Sequence, residues 1–210
     1  MSEPRGHLIA FEGTEGTGKS TQLRLTAAAL RRAGYTVRET REPGGTPLGV
    51  EIRRVVMHFE GDPPTPLSEL LLYLADRAQH LDHVIRPALA AGEVVLTDRF
   101  SASTIAYQGY GRELNLATVT EIDALARGGL MPDLTILLDC PVELGLQRAR
   151  GDDRFHRADL AFHQRVRHGF HELAARDPSR FCRIDATRPT EAVAADILEA
   201  VTAVVSDGSR

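Results

Sequence analysis

Eight residues near the amino terminus, Gly13-Thr14-Glu15-Gly16-Thr17-Gly18-Lys19-Ser20, constrain this chain more than anything else in it. The spacing G-x-x-x-x-G-K-[ST] has a physical basis. Glycines let consecutive backbone N–H groups turn inward around a phosphate chain, the lysine reaches the outer phosphates, and the serine hydroxyl ligates Mg²⁺. Of 25 lysines and arginines, Lys19 is the one lysine. A composition that otherwise uses arginine keeps a lysine where a phosphate loop needs it. The flanks agree: Leu8-Ile9-Ala10-Phe11 reads as a buried strand, and Leu23, Ala27 and Leu30 form a helical stripe that Gly34 ends. Strand, loop and helix N-terminus in that order make an anion site. A glycine-rich turn of chance resemblance would have no reason to sit in such a frame.

Bulk properties exclude several classes. A net charge of −4 argues against nucleic acid as a partner. The longest apolar stretch, Leu70 to Ala75, is far too short to cross a bilayer, so no membrane partner is expected. Met1 to His7 has no signal-peptide character, and the chain reads as cytoplasmic. Cys140 and Cys182 offer neither a disulfide framework nor metal-ligand spacing and read as buried free thiols. Length and patterning fit a single domain over residues 1–210.

Strand-like runs alternate with helical stretches. After the loop helix come Thr36–Glu39, Glu93–Thr97, Leu134–Asp139 and Arg180–Asp185, short and apolar enough to predict strands buried on both faces. Ser68 to Ala91 predicts a helix bent or split at Pro87 and ended by Gly92. Val193, Ile197, Val201 and Val204 predict a helix over Thr190 to Val205, with Thr190 as N-cap and Ser206 to Arg210 as a frayed tail. Alternating β and α units imply a parallel sheet with helices on both faces.

Arg148 to Arg167 is dense in arginine: Arg148, Arg150, Arg154, Arg157, Arg165 and Arg167 surround Gly151-Asp152-Asp153. Such a run is a solvated helical face or, beside a phosphate loop, a mobile lid over residues 148–160. The histidines here, His156, His163, His168 and His171, form no ligand pattern and read as solvated surface. Elsewhere, Asp98-Arg99 ends a strand at the carboxyl edge of the sheet, where an acid can hold Mg²⁺ and an arginine a second phosphate. Arg41, before Pro43-Gly44-Gly45, ends another, so Arg41 and Arg99 could grip one monophosphate with planar forks. Tyr73 and Arg77, four apart on a helix, share a face that could take a base; a core aromatic beside an exposed arginine is the plainer alternative. Ser103-Thr104-Ile105-Ala106-Tyr107-Gln108-Gly109 offers clustered hydroxyls and an amide to a polar ligand.

These blocks together resemble bacterial thymidylate kinase. The residues that carry the resemblance are Phe11 through Gln22, Thr40 through Thr46, Leu71 through Arg77, Val84 through Leu89, Asp98 through Gly109 and Ile184 through Thr187, covering essentially the whole chain. The resemblance implies an α/β P-loop nucleoside-monophosphate kinase fold with a parallel five-stranded sheet, helices on both faces and a lid segment. It implies transfer of the γ-phosphate of ATP to dTMP with Mg²⁺. Gly13, Thr14, Glu15, Gly16, Thr17, Gly18, Lys19, Ser20 and Thr21 would bind ATP, with Arg148, and Ser20 and Asp98 would hold the metal. Glu15 would face the sugar 3′-hydroxyl, Arg41 and Arg99 the dTMP phosphate with Gln108 nearby, Tyr73 the thymine face, and Arg77, Ser103 and Thr104 the base edge. Tyr107 would occupy the space of a ribose 2′-hydroxyl. Tyr73 departs from the phenylalanine usual there. Gly16 stands where one branch of the family has a catalytic arginine, so the lid would supply it; Arg154 matches best, beside Lys19 and Arg99 as catalytic groups. A homodimer is implied as well.

Two rivals remain. Another pyrimidine nucleotide or deoxynucleoside kinase would share fold and loop, and a substrate panel separates it. A guanine-specific switch would need an Asn-Lys-x-Asp motif. The chain's one asparagine, Asn115, precedes Leu116, and its one lysine is Lys19, so that motif is absent.

Overall fold

Alternation along the central strand sorts the helices into two layers. The structure, a computed structural model, describes residues 6–149, 155 and 158–207. Among the described residues five strands form one parallel sheet in the order β2-β3-β1-β4-β5. β1 (His7–Glu12) pairs with β3 (Val94–Asp98) on one side and β4 (Leu134–Asp139) on the other. Ile9 and Phe11 face α1 (Lys19–Arg32) and α9 (Thr190–Asp207), packing with Leu23, Ala27, Leu30, Ile197 and Val201. Leu8 and Ala10 face the opposite layer and meet Leu81, Ile85, Leu89 and Phe100. Successive side chains leave a strand on opposite faces, so an unbroken apolar run needs cover on both.

The outer strands differ from the expectation of burial on both faces. β2 (Val37–Arg41) and β5 (Phe181–Asp185) lie at the sheet edges, and most of their residues are exposed or half-buried. Charged side chains such as Arg38 and Glu39 keep β2 in water and blunt the edge. Strand limits also shift by a residue or two, and β2 runs to Arg41 because its ladder with β3 continues to Asp98.

Connections set the ligand crevice. From β1 the chain crosses by α1 to β2, and from β4 it passes outward to β5, so the carboxyl ends of β1 and its neighbours open a cleft where the connections diverge. α2 (Pro47–His58) follows β2, with Thr46 capping it by accepting a bond from the Gly49 N–H. α3 (Pro66–His80), capped by Thr65, passes through a π-helical turn (Leu81–Ile85) into α4 (Arg86–Ala90). Pro87 therefore splits the long helix by widening the turn ahead of it: a proline ring would otherwise press on the carbonyl four residues back. Past β3, α5 (Ser101–Thr104) runs into a second π-helical turn (Ile105–Gly111), and α6 (Leu116–Ala126) leads to β4. α7 (Val142–Arg148) and α8 (Leu160–Arg176) flank the arginine-rich segment. Arg150, Arg154, Arg157 and His156 lie outside the described residues, as does most of the expected lid. α9 begins at Thr190 itself, with Pro189 accepting from Val193, so Thr190 is the first helical residue rather than the cap; the helix extends to Asp207. No helix among the described residues is long and apolar enough to cross a membrane.

Candidate active site

The phosphate loop is shaped by its glycines. Gly13, Gly16 and Gly18 have φ of 139°, 68° and 88°, values that side-chain-bearing residues rarely adopt. At Gly16 a Cβ would lie 1.8 Å from the Gly145 carbonyl oxygen. The loop is thus pressed against α7, and position 16 has no room for an arginine. Gly18 caps α1 without a side-chain bond, leaving the N-terminal N–H groups of a 14-residue helix facing the cleft. Lys19 is buried, its ammonium donating to the carbonyls of Gly13 (3.0 Å) and Thr14 (2.7 Å). Burial and the nearby Arg99 cation lower its pKa to about 8, against the pull of Asp98, Glu15 and Glu12.

A cavity of about 530 Å³ runs from this loop across the carboxyl edge of the sheet. Glu15, Gly16, Gly18, Lys19, Ser20 and Thr21 line one end; Gly13, Thr14 and Thr17 stand behind, with Thr17 donating to the Thr14 carbonyl to brace the turn. Arg148 reaches the same end from the last turn of α7 and donates to the Ala186 carbonyl at 2.8 Å. Ser20 Oγ donates to Asp98 Oδ2 at 2.6 Å, joining a hydroxyl and a carboxylate at the mouth of the loop. Among the described residues no group of three or more His, Cys, Asp or Glu could hold a metal by itself. One carboxylate and one hydroxyl is nevertheless the donor set that suits Mg²⁺, which keeps waters and shares phosphate oxygens.

Beyond the loop, cations converge. Arg41, Arg53 and Arg99 all line the cavity. Burial lowers the Arg53 guanidinium's pKa, and Arg41 and Arg99 push it the same way. Arg99 has φ 74°, a strained value for a non-glycine residue, held because its N–H donates to the Phe11 carbonyl while Thr97 Oγ1 donates to its own carbonyl. Its guanidinium donates to Gly13 O (3.1 Å), Ser103 Oγ (3.0 Å), Tyr107 Oη (3.1 Å) and Glu15 Oε1 (3.3 Å). Tyr107 in turn donates to Glu15 Oε1 at 2.6 Å. Burial by itself would raise the Glu15 carboxyl; His163, Arg99, Lys19 and Tyr107 outweigh it and hold the group well below the usual carboxylate range.

The far end is aromatic above and polar at the edge. Tyr73 from α3 and Tyr107 from the second π-helical turn both meet Phe155, at 6.4 and 5.8 Å between centroids. Ser103, Thr104, Gln108 and Arg77 line the polar edge, yet each is already engaged. Ser103 Oγ donates to Glu12 Oε2 at 2.5 Å, and Gln108 Nε2 to Glu69 Oε1 at 2.7 Å. Arg77 is 2% exposed; it donates to Glu42 Oε2 (2.8 Å), Thr104 Oγ1 (2.9 Å) and Asp123 Oδ1 and lies over the Phe100 ring.

A family model described as thymidylate kinase matches residues 11–197. The chain belongs to the thymidylate kinase family. It is 53% identical over 193 residues to a thymidylate kinase of Synechococcus sp. (strain JA-3-3Ab), covering 92% of this chain and 94% of that one. It is 46% identical over 212 residues to one of Geotalea uraniireducens (strain Rf4), covering 97% of this chain and 100% of its relative. The crystal structure of thymidylate kinase from Ehrlichia chaffeensis superposes with a TM-score of 0.78 at 33% identity, over 95% of this chain and 99% of that chain. Thymidylate kinase family membership accounts for the five-stranded parallel sheet and identifies a nucleoside-monophosphate kinase, a phosphotransferase.

Every substrate-facing residue expected from the sequence lines the cavity: Glu15, Arg41, Tyr73, Arg77, Arg99, Ser103, Thr104, Tyr107 and Gln108, with Ser20 and Asp98. Several corrections accompany that placement. Arg77 is not an exposed arginine beside an aromatic but a fully buried one with three partners. Arg165 and Arg167, beyond the expected lid, belong to α8, where Arg165 donates to the Gly111 carbonyl and Arg167 pairs with Asp139. Of the histidines, His168 is exposed, His171 lies against Asp139, and His163 is buried. Arg53, Met57 and Phe155 line the cavity without having been expected. A lone phenylalanine inside a charged run was the available signal for Phe155. Arg53 follows Ile52 in an amphipathic helix and carried none.

Proposed function

We propose that this protein transfers the γ-phosphate of ATP to dTMP, giving dTDP and ADP. The observation that carries the reading is a single cavity joining a phosphate loop to an end lined by Tyr73, Tyr107 and Phe155, with Arg41, Arg53 and Arg99 also on its wall. That charge distribution suits two phosphate groups brought end to end. Lys19 leaves the loop carbonyls for the migrating phosphoryl group, and Arg99 and Arg41 hold the acceptor phosphate. Mg²⁺ on Ser20 and Asp98 supplies neutralisation of phosphate charge when bound. Tyr73 stacks on thymine, Glu15 accepts from the sugar 3′-hydroxyl, and Tyr107, fixed between Glu15 and Arg99, leaves no space for a 2′-hydroxyl. Arg77 contributes to the base edge chiefly by holding Thr104 and its own plane in place.

The transferring group needs a further cation, and a glycine pressed on Gly145 cannot be replaced by one that supplies it. Arg154, in the segment following α7, takes that role, with Arg148 on the ATP side. We infer also a single domain with its lid near 148–160, a cytoplasmic setting, and a homodimer through α2, α3 and α6. Exposed Leu48, Val50, Leu67, Leu71 and Leu125 on those helices support the dimer. The test of function is direct: Mg-ATP with dTMP, dCMP, UMP and thymidine, followed by product chromatography. Preference for dCMP or thymidine over dTMP would reject the reading.

A further inference from the structure

His163 is the fourth residue of α8 and is 1% exposed, yet neither ring nitrogen has a hydrogen-bond partner among the described residues. Its surroundings would suit an apolar side chain: Phe162 lies edge-on to the ring at 5.4 Å, and Val166 and Phe170 continue the same helix face into the core. An imidazole at such a place needs a polar reason to be there. The polar group it faces is Glu15, whose Oε2 lies 3.3 Å from Nδ1 without the alignment of a hydrogen bond. Glu15 uses its two oxygens unequally. Oε1 takes the Tyr107 hydroxyl and the Arg99 guanidinium, while Oε2 is buried and lacks a hydrogen bond.

We propose that His163 is a positioning residue: its ring N–H holds Glu15 Oε2 away from the cavity, so that Oε1 is presented to the sugar 3′-hydroxyl of the nucleotide. The proposal rests on the reading of Glu15 as the acceptor for that hydroxyl. The last torsion of a glutamate is broad, and contacts to one oxygen leave the carboxylate plane free to turn about it. A second contact from the opposite side fixes the plane. A slight rotation of the imidazole converts the 3.3 Å approach into a hydrogen bond. The consequence reaches Arg99, because the same Oε1 holds its Nη2, so His163 steadies the phosphate-gripping arginine at one remove.

The test compares kcat/KM for dTMP and for its 3′-deoxy analogue in wild type, His163→Phe, His163→Gln, Glu15→Gln and the Glu15→Gln/His163→Phe double variant. Wild type should favour dTMP by about a hundredfold or more. His163→Phe should shrink that preference by about tenfold or more, the scale of a misplaced catalytic contact. His163→Gln, which keeps an N–H in reach, should restore most of it. In the Glu15→Gln background His163→Phe should have no further effect on the preference. Equal losses for both substrates in His163→Phe would make His163 a packing residue and overturn the proposal. So would an unchanged preference. Absence of any preference in wild type would instead reject the reading of Glu15, and the proposal with it. Ring-nitrogen NMR of His163 in the wild-type protein gives a readout that does not depend on a variant folding. Its resonances should move on binding dTMP and much less on binding the 3′-deoxy analogue; equal shifts would overturn the proposal.

Discussion

Replacing Arg77 with methionine should cost stability before it costs substrate affinity. The side chain is 2% exposed and holds two carboxylates that are themselves buried, Glu42 at 3% and Asp123 at 1%. Burial opposes the charge on Arg77 and on Glu42. Glu42 stays below its ordinary pKa because Arg77 and His80 outweigh burial, and Arg77 is raised in turn by Glu42 and Asp123. Methionine fills much of the volume and removes the cation. The two acids are not wholly abandoned: Glu42 keeps His80 Nδ1 at 3.0 Å, and Asp123 keeps Ser101 and Arg127. The expected loss is therefore that of one broken buried pair, about 3–5 kcal/mol, rather than twice that. For a chain of this size it corresponds to a Tm lower by about 6–20 °C. The deficit should also depend on pH. Without Arg77, burial works on Glu42 against His80 alone; its folded-state carboxyl then binds a proton more tightly than the unfolded chain does, so the variant loses stability as pH rises. The gap to wild type should be wider at pH 8 than at pH 5.5. Arg77→Lys should recover only part of the loss, since a point charge cannot span Glu42, Asp123 and Thr104 together. Scanning calorimetry across pH, with KM for dTMP measured on the same samples, checks this. A tenfold rise in KM with Tm unchanged would refute the reasoning and make Arg77 principally a base contact.

Other expectations are equally concrete. Lys19→Ala should lower kcat by about a hundredfold or more with little change in Tm, as for loss of one preorganised donor; near-full turnover would unseat the site. Because the Lys19 ammonium has a pKa of about 8 in the free enzyme and only the protonated form attracts phosphate, ATP affinity should fall as pH rises from 7 to 9, and calorimetric titration showing a flat profile would contradict this. Asp76 is fully buried with one oxygen unpartnered, and burial and Glu42 raise its pKa from 3.8 to about 6. The folded state thus favours its protonated form, so Asp76→Asn should stabilise by about 1–3 kcal/mol at pH 8 and progressively less toward pH 5; equal effects at both pH values in denaturant titrations would count against that sign. Single-turnover kinetics should find the largest chemical-step defect in Arg154→Ala, with Arg150→Ala and Arg157→Ala milder; a normal Arg154→Ala rate moves the role elsewhere in the lid.

What the sequence made legible depends on how far apart the cooperating residues are. The phosphate loop could be read because its geometry is local. Gly13, Gly16 and Gly18 supply positive φ within six positions, and Lys19 returns to carbonyls only five and six residues back. Three central strands were equally clear, since a strand covered on both faces must be apolar throughout. Edge strands were less so, because β2 meets only one neighbour and its composition is set by solvent. The buried charge network was illegible for the opposite reason. Arg77 meets Glu42 and Asp123 across 35 and 46 residues, and nothing in a lone arginine states that its partners will exclude water. His163 falls between these cases. Grouped with its neighbours by residue type it looks like one of several surface histidines. Placed by helical spacing, it lies three residues before Val166 and seven before Phe170, on the stripe that α8 buries. A polar residue's partner is hidden from the chain until it folds, but its burial is written in the period of its neighbours. A histidine on an apolar stripe beneath a phosphate loop is where the chemistry of this site should be sought next.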